Sequence, residues 1–193
     1  MKGMHGDRSR IAVLAVVALA MVSTCCFVAE FFSNTARVDS QFPGKAVEVA
    51  FSDWEGLPVS GIQLHVELPN GINADEYVIA GFSEAGRPTS GLNGRMVFKV
   101  ATFKYGGTRK RRMLGGYDRP VLPPPFVFRF SMNGQTLLCL SFDQLTGQDV
   151  TDAGLARNAC AKAVADAQLR CRTVERVEEG GIIRLSVLVG SDK

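Results

Sequence analysis

Apolar and polar residues alternate most regularly in the second quarter of the chain. Every second residue from Ile62 to Leu68 is apolar, and Gln63, His65 and Glu67 lie between them. Successive side chains of a β-strand point to opposite faces, so this period of two is typical of a strand with one buried face. The stretch therefore predicts a core strand with a polar outer face.

The same alternation, or a short apolar run between turn residues, predicts six further strands. Two Asn-Gly pairs support this interpretation, because these residues tolerate the positive φ angles of tight hairpin turns. Asn93-Gly94 precedes one predicted strand, and Asn133-Gly134 divides another apolar stretch into two arms. The predicted strands cover residues 45–52, 62–68, 76–82, 95–105, the two arms of 126–142, and 182–189.

The register of this hairpin determines which of its side chains face the core. If its loop has two residues, Phe130 lies opposite Leu137, and Phe128 lies opposite Cys139. We expect these four residues and Phe126 to share one buried face.

Small residues recur at spacings of three and four over residues 149–178, which predicts one helix with a narrow apolar stripe. Asp149 is a suitable amino-terminal cap, and Gly180-Gly181 ends the segment before the last strand. An alternative ends the helix near Arg172 and pairs residues 173–178 with the last strand through the two glycines. Either way the fold class is mainly β, a β-sandwich of about seven strands with one packed α-helix.

An uncharged segment of 19 residues, 11–29, lies near the amino terminus. As a helix it would be about 28 Å long, close to the ~30 Å hydrocarbon core of a bilayer. Lys2, Arg8 and Arg10 precede it and no positive excess follows, so we expect the amino terminus to stay cytoplasmic and the rest to be exported. The predicted transmembrane signal-anchor helix covers residues 11–32.

This anchor sets the predicted domain organisation of a single-pass membrane protein. Residues 1–10 are cytoplasmic, residues 33–43 form a linker, and residues 44–193 form a domain in the periplasm or at the cell surface. Cleavage after Ala18-Leu19-Ala20 and lipidation at Cys25 of Val22-Ser23-Thr24-Cys25 are alternatives to an uncleaved anchor. Retention is favoured because the apolar run continues past both sites.

The residues around the first core strand follow a recognisable order. The sequence Gly56-Leu57-Pro58-Val59-Ser60-Gly61-Ile62-Gln63-Leu64 is followed downstream by Gly94 and the apolar Met96. This pattern resembles the carboxypeptidase regulatory-like or transthyretin-like β-sandwich family over roughly residues 50–100. Ser90-Gly91 stands where that family has Thr-Asp, and Met96 replaces an aromatic residue. The resemblance implies an Ig-like or transthyretin-like sandwich with an accessory, binding or structural role.

The connection from residue 106 to residue 125, about twenty residues, is long for a compact domain. It carries four consecutive basic residues, Arg109, Lys110, Arg111 and Arg112. Three interpretations remain open: a solvated loop tip, a contact for anionic lipid or a cell-surface polymer, and a processing site. Nucleic acid is not expected as a partner, because the domain is exported and no aromatic stacking platform accompanies these charges.

Three cysteines of the predicted exported domain, Cys139, Cys160 and Cys171, could form one disulfide. In a continuous helix Cys160 and Cys171 would lie about 16 Å apart, beyond the ~7 Å limit between the α-carbons of a bridged pair. The sequence leaves open a bond from Cys139 to Cys160 or to Cys171, three free thiols, and a bond between Cys160 and Cys171 across a break in the helix.

Residues that commonly carry catalysis or bind metals are sparse. His5 precedes the anchor, which leaves His65 as the one histidine of the predicted exported domain, and we expect it to face solvent from a strand. Gly81-Phe82-Ser83-Glu84-Ala85 only partly matches the nucleophile elbow and has no histidine downstream. No metal-ligand spacing and no phosphate-binding glycine motif is present, so no catalytic residue, metal or cofactor is expected.

Net charge further limits the partners that we expect. The formal charge is +3, of which three basic residues and one acidic residue before position 11 supply +2, so bulk affinity of the exported domain for polyanions is not expected. We predict a membrane-anchored extracytoplasmic protein with a binding or structural role, not an enzyme. Its expected partners are the bilayer, through residues 11–32, and an envelope protein or an anionic surface polymer. The alternatives are a carboxylate-based envelope enzyme and an inhibitor that acts through the 106–125 loop.

Overall fold

The computed structural model describes residues 35–110, 121–165 and 170–190. By its internal contacts the chain divides into two units, residues 39–106 with 122–193 and residues 1–38 with 107–121. Most of the described residues belong to the first of these units, and they confirm a mainly β fold.

Nine strands and four helices occur in the described ranges, where the sequence predicts about seven strands and one helix. The strands are β1 (Thr35–Phe42), β2 (Lys45–Ser52), β3 (Gln63–Glu67), β4 (Arg95–Val100), β5 (Phe103–Lys110), β6 (Val127–Met132), β7 (Gln135–Ser141), β8 (Arg170–Glu179) and β9 (Ile182–Gly190). The helices are α1 (Asp75–Val78), α2 (Phe82–Ala85), α3 (Phe142–Thr146) and α4 (Ala153–Val164).

The strands form three sheets. β1 and β5 form a two-stranded sheet. The four-stranded sheet has the order β4-β2-β9-β8, in which β2 and β9 are parallel and the outer pairs are antiparallel. The three-stranded sheet has the order β3-β6-β7 and is antiparallel throughout.

One apolar core joins the inner faces of the four-stranded and the three-stranded sheet. Phe51 of β2 lies against Phe130 of β6 with ring centroids 5.7 Å apart, and Phe98 of β4 lies against Phe128 of β6 at 6.4 Å. All four rings are buried, and burial of one such side chain contributes about 1.5–3 kcal/mol to folding. The two sheets therefore pack face to face.

The alternation at residues 62–68 is confirmed as a strand with one buried face. Leu64 and Val66 of β3 are buried in the core, whereas His65 and Glu67 point away from it. Its neighbour in the three-stranded sheet is β6, so the predicted core strand lies at one side of that sheet.

The prediction of a strand over residues 76–82 is wrong, because α1 and α2 occupy this stretch. Val78 and Ile79 are buried in succession, which a strand with one buried face does not allow. Asp75 accounts for the difference. Its carboxylate is 1% exposed and accepts the N–H of Val66 at 2.5 Å, so the chain folds back onto β3 instead of extending.

The predicted strand over residues 95–105 is two strands, and the predicted linker over residues 33–43 contains β1. The chain leaves the four-stranded sheet after β4, and β5 pairs with β1 instead. Thr102 marks the break, because its hydroxyl donates a hydrogen bond to the carbonyl oxygen of Pro43 at 2.9 Å. The partners β1 and β5 lie far apart in sequence, so local alternation contains no sign of their pairing.

The predicted helix over residues 149–178 is wrong in its extent. Helix α4 ends at Val164, and β8 pairs with β9 through the Gly180-Gly181 turn, as in the alternative that ends the helix early. Both glycines have positive φ angles, 59° and 78°, which suit a tight turn between antiparallel strands. The spacing of small residues that predicts the helix continues as far as Cys171, but Cys171 lies in β8, paired with Val189.

The hairpin of β6 and β7 turns at its Asn-Gly pair as predicted, but its register differs. A register shift after Phe130 places Leu138 opposite it, where the two-residue loop predicts Leu137. Cys139 therefore lies opposite Arg129, on the outer face of the sheet. The predicted face shared by Cys139 and the three phenylalanines is wrong.

Among the residues that the structure describes, none of the helices has the length and apolarity that a membrane crossing requires. The predicted anchor over residues 11–32 and the predicted cytoplasmic residues 1–10 lie outside the described ranges.

Candidate functional site

The outer face of the four-stranded sheet carries its side chains into solvent. Arg95, Val97 and Lys99 of β4 are exposed on this face, and Val97 is 70% exposed. Arg184 and Ser186 of β9 are exposed beside them. Among the described elements, the helices make their main contacts with the three-stranded sheet, which leaves these outward side chains exposed. We call this surface the open face.

Strand register places two short side chains in the middle of one row of this open face and long ones at the edges of that row. Ala50 of β2 and Ser186 of β9 lie side by side, between Arg95 of β4 and Glu175 of β8. The next row towards the end of β9 consists of Ser52, Leu188 and Arg172.

Trp54 closes one end of the open face. The Nε1–Cδ1 edge of its indole lies against Gly190, the last residue of β9, because a Cβ at position 190 would overlap these two atoms. Only glycine leaves room for the ring there. Trp54 nevertheless remains 60% exposed, so much of its side chain is in contact with solvent.

The loop that carries Trp54 is held in place by the side chain of Asp53. Asp53 Oδ1 accepts hydrogen bonds from the N–H groups of Glu55 at 2.9 Å and Leu57 at 2.8 Å. The Asp53 N–H donates to the carbonyl oxygen of Leu57 at 2.9 Å. The indole is therefore presented by a hydrogen-bonded turn.

A second turn, at Gly94, is hydrogen-bonded to the strand end that precedes the Trp54 loop. The N–H of Phe51 donates to the carbonyl oxygen of Gly94 at 2.9 Å. Gly94 has a φ of 70°, and a Cβ there would overlap the carbonyl oxygen of Phe51 and lie 2.9 Å from Cβ of Pro58. Glycine is therefore required at this position for both its conformation and its space.

Ion pairs cross the open face from the Ala50–Ser186 row to the end remote from Trp54. Glu48 of β2 pairs with Arg95 at 3.0 Å and with Arg184 at 3.6 Å, and Arg184 also pairs with Glu179 at 3.2 Å. These side chains are solvated, so each pair contributes at most about 1 kcal/mol.

The outer face of the three-stranded sheet is instead covered by α4. Ala156 and Cys160 of the helix are buried against Val127 of β6 and Cys139 of β7. Small side chains on both elements let the helix backbone lie close to the strands. This face is a second, smaller apolar cluster.

A disulfide between Cys139 and Cys160 fastens α4 to β7, with the two α-carbons 5.0 Å apart. It is one of the pairings that the sequence leaves open. Cys171 is a free thiol, and burial raises its pKa to about 12. A thiol of this kind is unreactive at neutral pH.

An ion pair fastens the same helix at a second point. Arg157 of α4 donates from Nε and Nη2 to Oδ2 of Asp143, at 3.1 Å and 2.5 Å. Burial alone would raise the pKa of Asp143, but a hydrogen bond from Ser141 and the Arg157 guanidinium outweigh it and lower the pKa. The carboxylate is therefore ionised at neutral pH.

His65 points to the same outer face from the edge strand β3, opposite Arg129 of β6. Its neighbours are charged but engaged, since Glu67 pairs with Arg129 at 2.6 Å and Asp75 pairs with Arg87 at 3.2 Å. Burial and, second, the charge of Arg87 lower the pKa of His65, so the imidazole is neutral at pH 7. In the described parts of the chain, no three His, Cys, Asp or Glu side chains form a metal-binding group.

Half of the predicted 106–125 interaction loop, residues 111–120, lies outside the described residues. Arg109 and Lys110 end β5, and Arg111 and Arg112 lie beyond it in the range 111–120. The structure extends β5 into the predicted 106–125 connection, so part of that connection is a paired strand.

The sequence prediction missed the open face and its aromatic end. Trp54 is the single tryptophan of the chain, and a lone Trp between Asp53 and Gly56 in a turn was the available signal. Its contact with Gly190 has no sequence signal, because the two residues meet only through the parallel pairing of β2 and β9.

No family model and no curated protein sequence matches the chain. Two solved structures are slightly similar to it. An intradiol ring-cleavage dioxygenase from Tetranychus urticae is 12% identical, with 77% of this chain and 80% of that one covered and a TM-score of 0.30. The 3-chlorocatechol 1,2-dioxygenase from Rhodococcus opacus 1CP is 15% identical, with 77% and 60% covered and a TM-score of 0.29. Likenesses this slight assign neither a family nor an activity.

Proposed function

We propose that this chain is a membrane-anchored extracytoplasmic β-sandwich protein that works by binding a partner on the open face of its four-stranded sheet. The observation that carries the proposal is the difference between the two outer faces. One is covered by α4, and the other leaves Trp54 60% exposed on a hydrogen-bonded loop. Exposed aromatic side chains on rigid supports are typical of recognition surfaces.

Two features support an extracytoplasmic location. The Cys139–Cys160 disulfide suits an oxidising compartment, because cytoplasmic thiols are kept reduced. The uncharged residues 11–29 follow a basic amino terminus, which favours a membrane anchor with the body on the outside.

The turn glycines support the finer assignment of an Ig-like or transthyretin-like sandwich. Gly56, Gly61 and Gly94 belong to the pattern that resembles the carboxypeptidase regulatory-like family, and their φ angles are 81°, 80° and 70°. Each therefore stands where a side chain is disfavoured. The pattern is thus tied to the backbone of the turns that flank β3 and β4.

Binding is proposed over catalysis because the best-placed carboxylates are already paired with arginines. Four of them make such ion pairs: Glu48, Glu67, Asp75 and Asp143. A carboxylate whose oxygen is held by a guanidinium is less free to exchange a proton with a substrate, so it is poorly suited to general acid–base catalysis.

Protease protection in intact cells tests the location. The full chain carries one epitope at its amino terminus and another at its carboxyl terminus, and protease is added outside, after permeabilisation of any outer membrane. We expect the carboxyl-terminal epitope to be digested and the amino-terminal one to survive until the inner membrane is opened. Deletion of residues 11–29 serves as the control, and it should leave both epitopes protected in the soluble fraction. Protection of both epitopes in the intact chain contradicts the proposal.

A further inference from the structure

We propose that the Trp54 end of the open face is a binding site for an acidic polysaccharide, an inference that rests on the proposed binding function and names its ligand class. We call this site the Trp54 groove. It consists of the indole at one end, a floor of short side chains, and an arginine on each side. Its residues are Trp54, Ala50, Ser52, Ser186, Leu188, Arg95 and Arg172.

Strand geometry gives the groove the size of a short sugar chain. The arginines stand on β4 and β8, three strand spacings apart, which is about 14 Å. From Gly190 under the indole to Arg184 at the ion pairs, β9 extends about 20 Å. The groove therefore covers about 280 Å², with the indole as one end wall and the Glu48–Arg184 pair as the other.

The indole offers the surface on which a sugar ring can stack. Gly190 holds the Nε1–Cδ1 edge of the indole, and Trp54 as a whole is 60% exposed. The face of an aromatic ring is electron-rich and attracts partly positive hydrogens, such as those on the C–H face of a pyranose. Because Asp53 fixes the loop, little conformational entropy is lost when a ligand stacks there.

The arginines supply the preference for acidic sugars. Arg95 uses Nη1 to contact Glu48 at 3.0 Å, and its side chain is 61% exposed, so further N–H donors point to solvent. Arg172 is exposed on the opposite edge strand. Guanidinium groups bind carboxylates through two parallel hydrogen bonds, which suits uronate groups. Glu175 borders the same row, so we expect the ligand carboxylates to lie beside the arginines and away from it.

A protein partner fits the groove less well than a sugar chain does. Specific protein interfaces cover about 800 Å² on each partner, whereas the groove offers about 280 Å². The exposed large apolar side chains of the strands, Val97 and Val177, lie on opposite edge strands with Glu48 and Arg184 between them. Trp54 lies apart from both, in the loop after β2. A narrow, polar, aromatic-ended groove is better matched to a sugar chain.

Because Trp54 is the single tryptophan of the chain, its fluorescence reports on this groove alone. The experiment titrates the full chain in detergent micelles with oligogalacturonate, with the same oligosaccharide methyl-esterified, and with vesicles of anionic phospholipid. We expect a saturable change of tryptophan emission with oligogalacturonate, at least about tenfold weaker binding of the neutral ester, and weaker acid binding at high salt.

Variants measured by calorimetry locate the binding. Trp54→Ala removes the indole, and Gly190→Ala displaces it. We expect each variant to weaken oligogalacturonate binding at least about tenfold. Arg172→Gln should weaken the acidic ligand but leave the neutral ester unchanged. Leu155→Ala, a matched exposed apolar residue on α4, is the control and should change nothing. Circular dichroism confirms that each variant keeps its strand content.

Three results would overturn the assignment: no saturable binding of oligogalacturonate, equal affinity for the acid and its ester, or an emission change only with anionic vesicles. The third result would assign the groove to the membrane surface. None of these results affects the protease-protection test, so failure of the ligand assignment is distinguishable from failure of the proposed location.

Discussion

The two outer faces of the sandwich differ in whether a helix covers them. On the three-stranded sheet, α4 buries small apolar side chains and is fastened by the Cys139–Cys160 disulfide and the Arg157–Asp143 pair. On the four-stranded sheet, charged and small side chains stay in solvent and Trp54 stands exposed at one end. The first face therefore contributes mainly to stability, and the second is the face on which we propose recognition.

This difference also separates the kinds of interaction that each face can make. Burial and a covalent link are strong and insensitive to salt, whereas solvated ion pairs contribute little. Substitutions on the covered face should therefore change the free energy of unfolding. Substitutions on the open face should change binding with little effect on folding.

Removal of the disulfide should have the largest effect on stability. The bond joins residues separated by 21 positions, and closing a loop of that length stabilises a fold by about 3 kcal/mol. Cys139→Ala with Cys160→Ala should lower the free energy of unfolding by that amount, measured by urea denaturation of the full chain. Cys171→Ala is the control, with a smaller loss. A thiol count on denatured protein should rise by two after reduction, and an unchanged count would remove the disulfide from this account.

Gly94→Ala should have the next largest effect, about 2 kcal/mol, because it forces a side chain into a left-handed turn that contacts Pro58. The strain arises under the Trp54 loop, so the emission spectrum of Trp54 should shift as well. Gly134→Ala is a matched control, since that glycine also has a positive φ, 79°, but no atom within 4 Å of an added Cβ. Equal losses for both variants would show that backbone conformation alone, without the contact, sets the requirement.

A smaller effect should follow from pH at His65. Burial and then the Arg87 charge lower the pKa of this histidine in the folded state, so the unfolded chain takes up the proton more readily. Its contribution to stability is complete above pH 6.5, the ordinary pKa, and declines as the pH falls below it. Urea midpoints at pH 7.5 and pH 5.5 should differ less in His65→Gln than in the unmodified chain. A steeper pH dependence in the variant would contradict the lowered pKa.

The smallest effect on folding should come from the open face. Glu179→Gln removes one partner of Arg184, and both side chains are solvated, so the free energy of unfolding should change by less than about 0.5 kcal/mol. Asp143→Asn, which breaks the corresponding pair on the covered face, should cost more because its side chain is only 10% exposed. Equal costs in thermal unfolding would remove the energetic contrast between the two faces.

Local patterns in the sequence predict those parts of this fold that depend on local chemistry. The alternation at residues 62–68 and the Asn133-Gly134 turn are both present in the structure, because period and turn preference are properties of short stretches. The register shift after Phe130 shows the limit of local patterns, since it moves Cys139 to the opposite face of its sheet.

The remaining differences arise from contacts between distant residues. The pairing of β8 with β9 overrides a helical spacing of small residues, and β1 pairs with a strand from much later in the chain. The candidate site depends on the same kind of contact, because Trp54 and Gly190 come together only through the parallel pair β2 and β9. Sequence analysis places Cys139 and Cys160 among possible disulfide partners, but the groove requires the sheet order.

Hydroxyl-radical footprinting of the full chain, with and without oligogalacturonate, tests most directly whether the open face is the binding face. Trp54 and Leu188 report on the groove, and Leu155 on α4 and Ile72 beside β3 report on the other side of the body. The account predicts that the ligand reduces oxidation of Trp54 and Leu188 and leaves Leu155 and Ile72 unchanged. Protection of Leu155 with unchanged oxidation of Trp54 would contradict it.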